Sequence, residues 1–359
     1  MLDFRSDTVT QPTAAMRQAM LEAPLGDDVF ADDPTVNQLQ QFAAELLGFE
    51  AALFAPSGTM TNLMALMSHC QRGDEAIVGQ HWHTYRWEGG GMAVLGSIQP
   101  QPIANQADGS LLASDIIAAI KPDDPHFART KLLVIENTTG GKVLPLSYMN
   151  QMAALAKQHG LSAHIDGARL MNAAVAVGGD PYHNARQLCA GFDSVSLCLS
   201  KGLGAPVGSL LLGHRDFIHR AKRVRKMLGG GMRQAGVLAA AGLYALEHHV
   251  HRLAEDHLLA SQISEGLYQL SVELGLTAEF KVHAANTNML FVDIAPTLAA
   301  SLLPALSHAG IRLTSSQYLS QDQAWQRVRL VTHLDLPQDA LSQTLAGFRR
   351  ALIQSQGLV

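Results

Sequence analysis

The sequence predicts an α/β fold in which helices cover a mostly parallel sheet, followed by a smaller α+β lobe. Short apolar runs alternate with segments of helical spacing through the first two thirds of the chain, as in strand–helix–strand units. The 359 residues suffice for two hydrophobic cores, and 47% of them are hydrophobic. We expect a large lobe over residues 1–245 and a small lobe over 246–359, with an N-terminal segment that packs on the small lobe or on a partner subunit.

The large lobe contains apolar runs bounded by turn residues, which are typical of buried strands. A helix that closes on Gly160 separates two of these runs, and a glycine-rich turn separates another two. The predicted elements in order are the strand AALFA, the turn PSG, the helix TMTNLMALMSHC, the strand KLLVIEN, the helix SYMNQMAALAKQHG, and the strands LSAHIDGAR, DSVSLCLSK and GSLLLG. This order indicates βαβ units and a largely parallel sheet.

The pattern changes near Gly236, where one long helical stretch begins and runs through YALEHHVHRLAEDHLLASQISEGLYQL. The segments TNMLFVDI and VRLVTHLDL then predict strands, and TLAASLLPALSHAG and DALSQTLAGFRRALI predict helices. We therefore expect the long helix, and not a flexible linker, to join the two lobes.

Composition favours a cytoplasmic protein with small-molecule partners. The net charge of -5 gives no reason to expect nucleic acid or an anionic membrane. The three cysteines, Cys70, Cys189 and Cys198, are widely spaced, which fits a reducing compartment, and no metal-binding residues are expected. Neither a targeting segment nor a membrane-spanning run is visible.

Polar residues close several of the predicted strands, and in open parallel sheets ligands bind at this edge. Lys201 follows SVSLCLS, Asp166 closes LSAHID, and Glu136 and Asn137 close LLVIEN. Taken singly, Lys201 also fits a surface lysine, Asp166 a helix cap, and the segment from Ser57 to Thr59 an ordinary turn. Their order across one lobe favours a shared site.

These residue types match the requirements of pyridoxal 5'-phosphate. Lys201 offers an amine for a Schiff base, and Asp166 can keep a proton on the pyridine nitrogen so that the ring accepts electrons. The predicted helix start at Ser57, Gly58 and Thr59 offers free backbone N–H groups and a helix dipole for the phosphate. The sequence therefore predicts a pyridoxal phosphate site.

Eight segments, in one order from the N-terminus to about Asp335, resemble the threonine aldolases of the low-specificity or L-allo type. These enzymes have the aspartate aminotransferase fold, fold type I of the pyridoxal phosphate enzymes, with a large mostly parallel α/β/α lobe. The segments are DFRSDTVTQPT, GDDVFADDPTVNQLQ, PSGTMTNLMALMSHC, KPDDPHFARTKL, IDGARLMNA, CLSKGLGAPVGSLL, RKMLGGGMRQAG and RLVTHLD. The resemblance implies retro-aldol cleavage of L-threonine, L-allo-threonine or a related β-hydroxy amino acid to glycine and an aldehyde.

The resemblance also implies a role for individual residues. Lys201 would be the Schiff-base lysine, His83 would stack on the cofactor ring, and His126 would lie near the substrate hydroxyl. As the base for the β-hydroxyl proton we favour His83, directly or through water, with His126 second, because histidine titrates near neutral pH. The cofactor would contact Ser57, Gly58, Thr59, His83, Asp166, Arg169, Lys201 and Arg233. The substrate would contact Ser6, His83, His126, Arg169, Lys226 and Arg329, with arginine suited to a bidentate grip on carboxylate.

A homodimer is implied as the catalytic unit, doubled to a tetramer, because Lys226 and Arg233 match residues that family members offer to the neighbouring active site. Two departures from the family pattern affect the substrate mouth. Thr139 and Gly140 stand where a histidine and an asparagine are common, and Trp87 stands where a smaller aromatic is usual.

Other readings remain open. Another pyridoxal phosphate enzyme of the same fold, such as a β-eliminating lyase, a transaminase or a hydroxymethyltransferase, would share the cofactor residues. The glycines of GLGAPVG resemble a nicotinamide fingerprint, but the following SLLL predicts a strand where that fingerprint needs a helix. The basic segment RDFIHRAKRVRK could form a nucleic-acid face, but the chain is acidic overall and lacks interleaved aromatics there.

Overall fold

A seven-stranded sheet forms the centre of the larger of two compact units in the computed structural model, which describes residues 1–316 and 325–356. The larger unit spans Pro12–His251, and the second comprises Met1–Gln11 and Arg252–Val359. Residue 245, where the sequence places the boundary between lobes, lies inside the helix Gly236–His248. The described strands, in chain order, are β1 Leu2–Asp3, β2 Ala51–Ala55, β3 Asp74–Gly79, β4 Gln99–Ile103, β5 Arg129–Glu136, β6 Ser162–Gly167, β7 Ser194–Cys198, β8 Ser209–Gly213, β9 Phe280–Val282, β10 Met289–Ile294, β11 Ile311–Arg312, β12 Thr314–Ser316 and β13 Gln326–Val331.

The sheet of the larger unit is mostly parallel, as the sequence predicts. Its strand order is β2-β8-β7-β6-β5-β3-β4, and the strands β3 to β7 all run parallel to their neighbours among themselves. The remaining two, β8 and β2, pair antiparallel at one edge. The five strands β3 to β7 therefore end on the same side, where the polar residues that follow them can meet.

Helices cover this sheet, and several begin at residues that cap them. The helix Pro34–Leu47 begins after Asp33, whose carboxylate accepts from the N–H of Val36, and Pro34 occupies its first turn without losing a hydrogen bond. The helices are α1 Ala14–Glu22, α2 Pro34–Leu47, α3 Gly58–His69, α4 His83–Arg86, α5 Gly91–Val94, α6 Ala113–Ala119, α7 Leu146–Gln158, α8 Leu170–Val177, α9 Pro181–Cys189, α10 Arg215–Met227, α11 Gly236–His248, α12 Leu253–Glu273, α13 Pro296–His308 and α14 Ala340–Ser355.

The second unit contains the antiparallel sheet β12-β13-β10-β9 and a short parallel pair of β1 with β11. Apolar residues of α12, α13 and α14 pack with these strands in one core, including Ile263, Leu302 and Phe348. The strand β1 comes from the N-terminus, so the first residues of the chain complete this unit.

The expectation of one long helix after Gly236 is wrong, because the structure has two helices, α11 and α12, with residues 249–252 between them. His249 is buried at this break, where its Nδ1 lies 2.7 Å from the carbonyl oxygen of Leu203, and Val250 is fully buried. These contacts fix a turn that apolar periodicity does not reveal.

Three further features bear on a membrane span, a nicotinamide site and the state of the cysteines. Among the helices of the described residues, none is long and apolar enough to span a membrane. The strand β8 follows the glycines of GLGAPVG, as predicted, so this segment is not a nicotinamide fingerprint. All three cysteines are buried and free.

Candidate active site

A cavity of about 150 Å³ opens where β6 and β7 end and α3 begins. It lies entirely within the larger unit. It is lined by Gly58, Thr59, Asn62, His83, Asp166, Ala168, Ser196, Cys198, Ser200, Lys201 and Ser209. Five residues that the sequence singles out, namely Gly58, Thr59, His83, Asp166 and Lys201, are therefore brought together.

The strand register places two of the acidic groups side by side. Glu136 of β5 and Asp166 of β6 are Cα partners in neighbouring parallel strands, and Ser196 of β7 is the next partner of Asp166. Partner residues point to the same face of a sheet. The two carboxyl groups are therefore held close to one another by backbone pairing.

Lys201 lies in the loop that joins β7 to β8. The loop is closed by backbone hydrogen bonds from Leu199 N to Gly208 O at 3.0 Å and from Gly204 N to Lys201 O at 2.8 Å. Gly208 has a φ of +115°, and an added Cβ would lie 2.5 Å from the ring of Phe54, so a side chain does not fit there. This closed loop presents Lys201 to the cavity.

The N-terminus of α3 forms another wall of the cavity. Ser57 is the N-cap, and its hydroxyl accepts from the N–H of Met60 at 3.2 Å. Gly58 and Thr59, the first residues of the helix, line the cavity. The first backbone N–H groups of a helix have no partner within it and attract anions such as phosphate.

Asp166 is almost fully buried and is held by hydrogen bonds. Its Oδ1 accepts from the N–H of Ala168 at 3.2 Å, and its Oδ2 accepts from Nδ2 of Asn62 at 2.9 Å. The same Nδ2 donates to Oε1 of Glu88 at 2.8 Å. Asn62 therefore connects two carboxylates.

His83 is held at two points. Its backbone N–H donates to Oε2 of Glu136 at 2.6 Å, and its Nδ1 lies 2.8 Å from Oε1 of Glu88. Its side chain is 41% exposed, whereas that of Glu88 is 4% exposed. The contacts with Glu136 and Glu88 thus hold His83 in place, while its ring remains accessible from the cavity.

Burial and mutual repulsion raise the pKa values of two of these acids. The pKa of Glu136 rises to about 8, because burial disfavours its charge and the carboxylate of Asp166 repels it, although the hydrogen bond from the N–H of His83 and the charges of Lys201 and Arg169 partly offset this. The pKa of Glu88 is raised for the same two reasons, against hydrogen bonds from His83 and Asn62. Perturbed acids of this kind often mark functional sites.

Behind Asp166 lies a buried polar network. Nδ1 of His164 lies 2.8 Å from the hydroxyl of Ser194, which is also 2.7 Å from Nε2 of His69. Burial lowers the pKa of both histidines to about 3, so both rings are neutral near pH 7. This network adds no positive charge next to the cavity.

Other predicted residues do not line this cavity in the part of the chain that the structure describes. His126 is an exposed loop residue whose Nδ1 lies 2.6 Å from Asp124. Arg169 directly precedes α8, and its charge acts on Glu136. Arg233 pairs with Asp27 at 3.1 Å, and Lys226 lies in the last turn of α10.

Ser6 and Arg329 belong to the second unit. The hydroxyl of Ser6 accepts from the N–H of Thr8, and Nη2 of Arg329 donates to the carbonyl of Arg5 at 2.9 Å. Their expected role in binding the substrate carboxylate stays a prediction.

The two departures from the family pattern have different surroundings. The hydroxyl of Thr139 is buried and accepts from the indole N–H of Trp82 at 3.0 Å, and Trp82 is itself fully buried. Trp87 is 49% exposed, with the guanidinium of Arg86 5.1 Å from its ring centroid. The side chain of Thr139 is therefore occupied in anchoring the residue that precedes His83.

Sequence reasoning missed Asn62 and Glu88. Asn62 lies four residues after Gly58 on α3, one helical turn further along, so helical spacing from the predicted phosphate loop could have identified it. Glu88 follows the short helix α4, and no motif in the sequence signals its approach to His83.

The donor set fits pyridoxal phosphate. An amine, a buried carboxylate and a helix N-terminus face one cavity, which matches the aldehyde, the pyridine nitrogen and the phosphate of that molecule. His83, Glu88 and Asp166 also offer ligand atoms within 4.8 Å of one another. Because Asn62 donates an N–H to both carboxylates, we assign this group to a hydrogen-bond network and not to a cation site.

Comparisons with known proteins identify the family to which the chain is similar. The family model described as beta-eliminating lyase matches residues 3–295. The low specificity L-threonine aldolase of Escherichia coli (strain K12) is 51% identical over 352 residues, which cover 98% of this chain and 99% of that protein. Low-specificity L-threonine aldolase 1 of Arabidopsis thaliana is 42% identical over 366 residues, which cover 99% and 97%.

Solved structures agree on the fold. The threonine aldolase of Leishmania major superposes with a TM-score of 0.82 at 21% identity, covering 98% of this chain and 100% of that chain. The serine palmitoyltransferase of Sphingomonas wittichii gives a TM-score of 0.74 at 19% identity. The two aldolases from Escherichia coli and Arabidopsis thaliana match nearly the whole chain at 51% and 42% identity. The chain therefore belongs to the beta-eliminating lyase family and, within it, to the low-specificity L-threonine aldolases.

Proposed function

We propose that this chain is a pyridoxal-phosphate-dependent aldolase that cleaves L-threonine, L-allo-threonine and related β-hydroxy-α-amino acids to glycine and an aldehyde. One observation supports the proposal above others: a single cavity is lined by Lys201, Asp166, His83 and the first residues of α3 in a chain 51% identical to a low specificity L-threonine aldolase. Such an enzyme takes part in amino acid metabolism, forming glycine and breaking down threonine.

Different residues around the cavity bind different parts of the cofactor. Lys201 supplies the amine for its aldehyde, Asp166 keeps a proton on the pyridine nitrogen, and the N–H groups of Gly58 and Thr59 bind its phosphate. Pyridoxal phosphate, when bound, supplies a protonated ring that accepts the electrons released as Cα–Cβ breaks. Asn62 and the Ala168 N–H hold the carboxylate of Asp166 in place for this role.

His83 is the favoured base for the β-hydroxyl proton. It lines the cavity, and imidazole has a suitable proton affinity near neutrality. His126 remains the second candidate, although its side chain is 84% exposed and bonded to Asp124.

Further parts of the proposal concern binding and assembly. Ser6, Arg169 and Arg329 bind the substrate carboxylate, Arg233 contacts the cofactor, and Lys226 contacts the substrate. The active unit is a homodimer that shares its sites through Lys226 and Arg233, and two dimers form a tetramer. The protein works in the cytoplasm on a small-molecule substrate, without nucleic acid.

The test is to incubate the purified protein, loaded with pyridoxal phosphate, separately with L-threonine and L-allo-threonine. Aldehyde and glycine in equal amounts, with a visible absorbance band, are the expected result. Lys201→Ala is the matched control and should give neither the band nor the products. Release of ammonia and a keto acid in place of glycine would instead assign β-elimination, and absence of a band would remove the cofactor.

A further inference from the structure

The carboxylate of Glu88 has no part in the proposed function, yet it lies next to the cavity and is almost fully buried. Burying a carboxylate is costly unless hydrogen bonds compensate. Two donors reach the same oxygen, Oε1: Nδ2 of Asn62 at 2.8 Å and Nδ1 of His83 at 2.8 Å. This shared oxygen determines how the His83 ring is protonated.

The direction of each hydrogen bond follows from Asn62. Its Nδ2 group faces the carboxylates of both Glu88 and Asp166, and its Oδ1 lies 3.4 Å from Nε2 of His164. The reverse orientation of the amide would place its oxygen against two carboxylates, which is repulsive. Asn62 is therefore a donor to both acids, and Oε1 of Glu88 is an acceptor.

An oxygen that accepts from Asn62 has a second lone pair for His83. The Nδ1 of His83 then donates its proton to Glu88, and a neutral imidazole has only one N–H. The other ring nitrogen, Nε2, is left without a proton and can accept one. The backbone N–H of His83, bonded to Glu136 at 2.6 Å, fixes the start of the short helix that contains the ring.

We propose that Glu88 is a positioning residue that holds His83 in the Nδ1–H tautomer, so that Nε2 is the atom that takes the substrate's β-hydroxyl proton. The inference rests on the proposed function only for the identity of that proton. Asn62 contributes by directing Oε1 of Glu88 toward His83 while it holds Asp166, and so the orientation of the base and that of Asp166 are coupled through one amide.

The tautomer can be measured directly. In protein labelled with ¹⁵N-histidine, long-range proton–nitrogen spectra distinguish Nδ1–H from Nε2–H, and the signals that His83→Asn removes belong to His83. The wild-type protein should show Nδ1–H. Glu88→Leu should shift the population toward Nε2–H, because it leaves Nδ1–H without an acceptor, whereas Glu88→Gln should keep Nδ1–H, because the amide oxygen that accepts from Asn62 can still accept from His83. The exposed control Glu22→Gln should leave the spectrum unchanged.

Turnover gives an independent readout. In Glu88→Leu we expect kcat to fall on the order of 100-fold, the lower end of what a positioned general base contributes, with KM little changed because Glu88 does not line the cavity. Glu88→Gln keeps an acceptor oxygen, so it should retain Nδ1–H and more of the turnover than Glu88→Leu. Should Leu reduce folding, Glu88→Ala removes the same acceptor and still tests the tautomer.

Two results would overturn the inference: an Nε2–H tautomer in the wild-type protein, or an Nδ1–H population in Glu88→Leu equal to that of the wild type. Failure of the proposed function has a different appearance, because the wild type would then release no aldehyde, while the spectra of the protein without substrate would still report on Glu88 and His83.

Discussion

Asp166 is the residue that links the acidic groups beneath the cavity. Its negative charge raises the pKa of both Glu88 and Glu136, and Asn62 holds its carboxylate beside that of Glu88. Like charges in a poorly solvated place cannot all ionise at once. At the residue scale, the protonation of Glu136 near neutral pH is therefore a property of the site.

This coupling predicts that Glu136 makes stability depend on pH. Its pKa is about 8 when folded against an ordinary value of 4.5, so the folded protein binds this proton more tightly than the unfolded chain. The stability it contributes is complete below about pH 4.5 and is lost as the pH rises toward 8. Glu136→Gln cannot ionise, and its oxygen can still accept from the N–H of His83.

The measurement is the melting temperature of the cofactor-free protein at about pH 5 and about pH 9. The melting temperature of Glu136→Gln, relative to that of the wild type, should be higher at the higher pH than at the lower pH. For the exposed control Glu22→Gln, the difference in melting temperature from the wild type should be the same at both pH values. An equal difference for Glu136→Gln at both pH values would contradict the raised pKa.

Site residues could be predicted from the sequence where a polar residue directly follows an apolar run or begins a helix. Lys201, Asp166 and the start of α3 could be predicted because strand ends and helix starts are visible as patterns. Glu88 and the hydroxyl of Thr139 could not, because their partners are set by tertiary packing between α4, β5 and the loops that follow them.

At the element scale, the short helix α4 depends on anchors outside itself. Four residues form too short a helix to be stable alone, and no side chain caps its N-terminus. Trp82, which precedes it, is fully buried and donates to Thr139, and Glu136 accepts from the N–H of His83. These two contacts place His83 at the cavity.

The contact between Trp82 and Thr139 is expected to contribute to stability. Thr139→Val is nearly isosteric and leaves the buried indole N–H of Trp82 without an acceptor, which should cost about 1–3 kcal/mol. Thr139→Ser retains the hydroxyl and is the matched control. The free energies of unfolding from urea titrations should differ between the two variants by about 1 kcal/mol or more. Equal values for valine and serine would show that the hydrogen bond has no role.

At the scale of whole elements, pairing direction was harder to predict than the elements themselves. AALFA and GSLLLG are strands, as predicted, but both pair antiparallel. The short loop between β7 and β8 contains no crossover helix, which forces an antiparallel pair. The partnership of β2 with β8 joins residues far apart in the chain, and local sequence has no signal for it.

At the scale of the whole molecule, the cavity lies entirely within the larger unit, and the matched family model spans all of that unit. The sequence predicted the mostly parallel sheet and the C-terminal change of pattern. It did not predict the break between α11 and α12, because both sides have helical spacing and the turn depends on burial of His249 and Val250.

Covalent attachment of the cofactor to Lys201 is the central feature of the proposed site. The direct measurement is borohydride reduction of the protein loaded with pyridoxal phosphate, followed by proteolysis and mass mapping of the modified peptide. We predict one modified lysine, Lys201, in the segment CLSKGLGAPVGSLL. A pyridoxyl group on another lysine, or on none, would contradict the account.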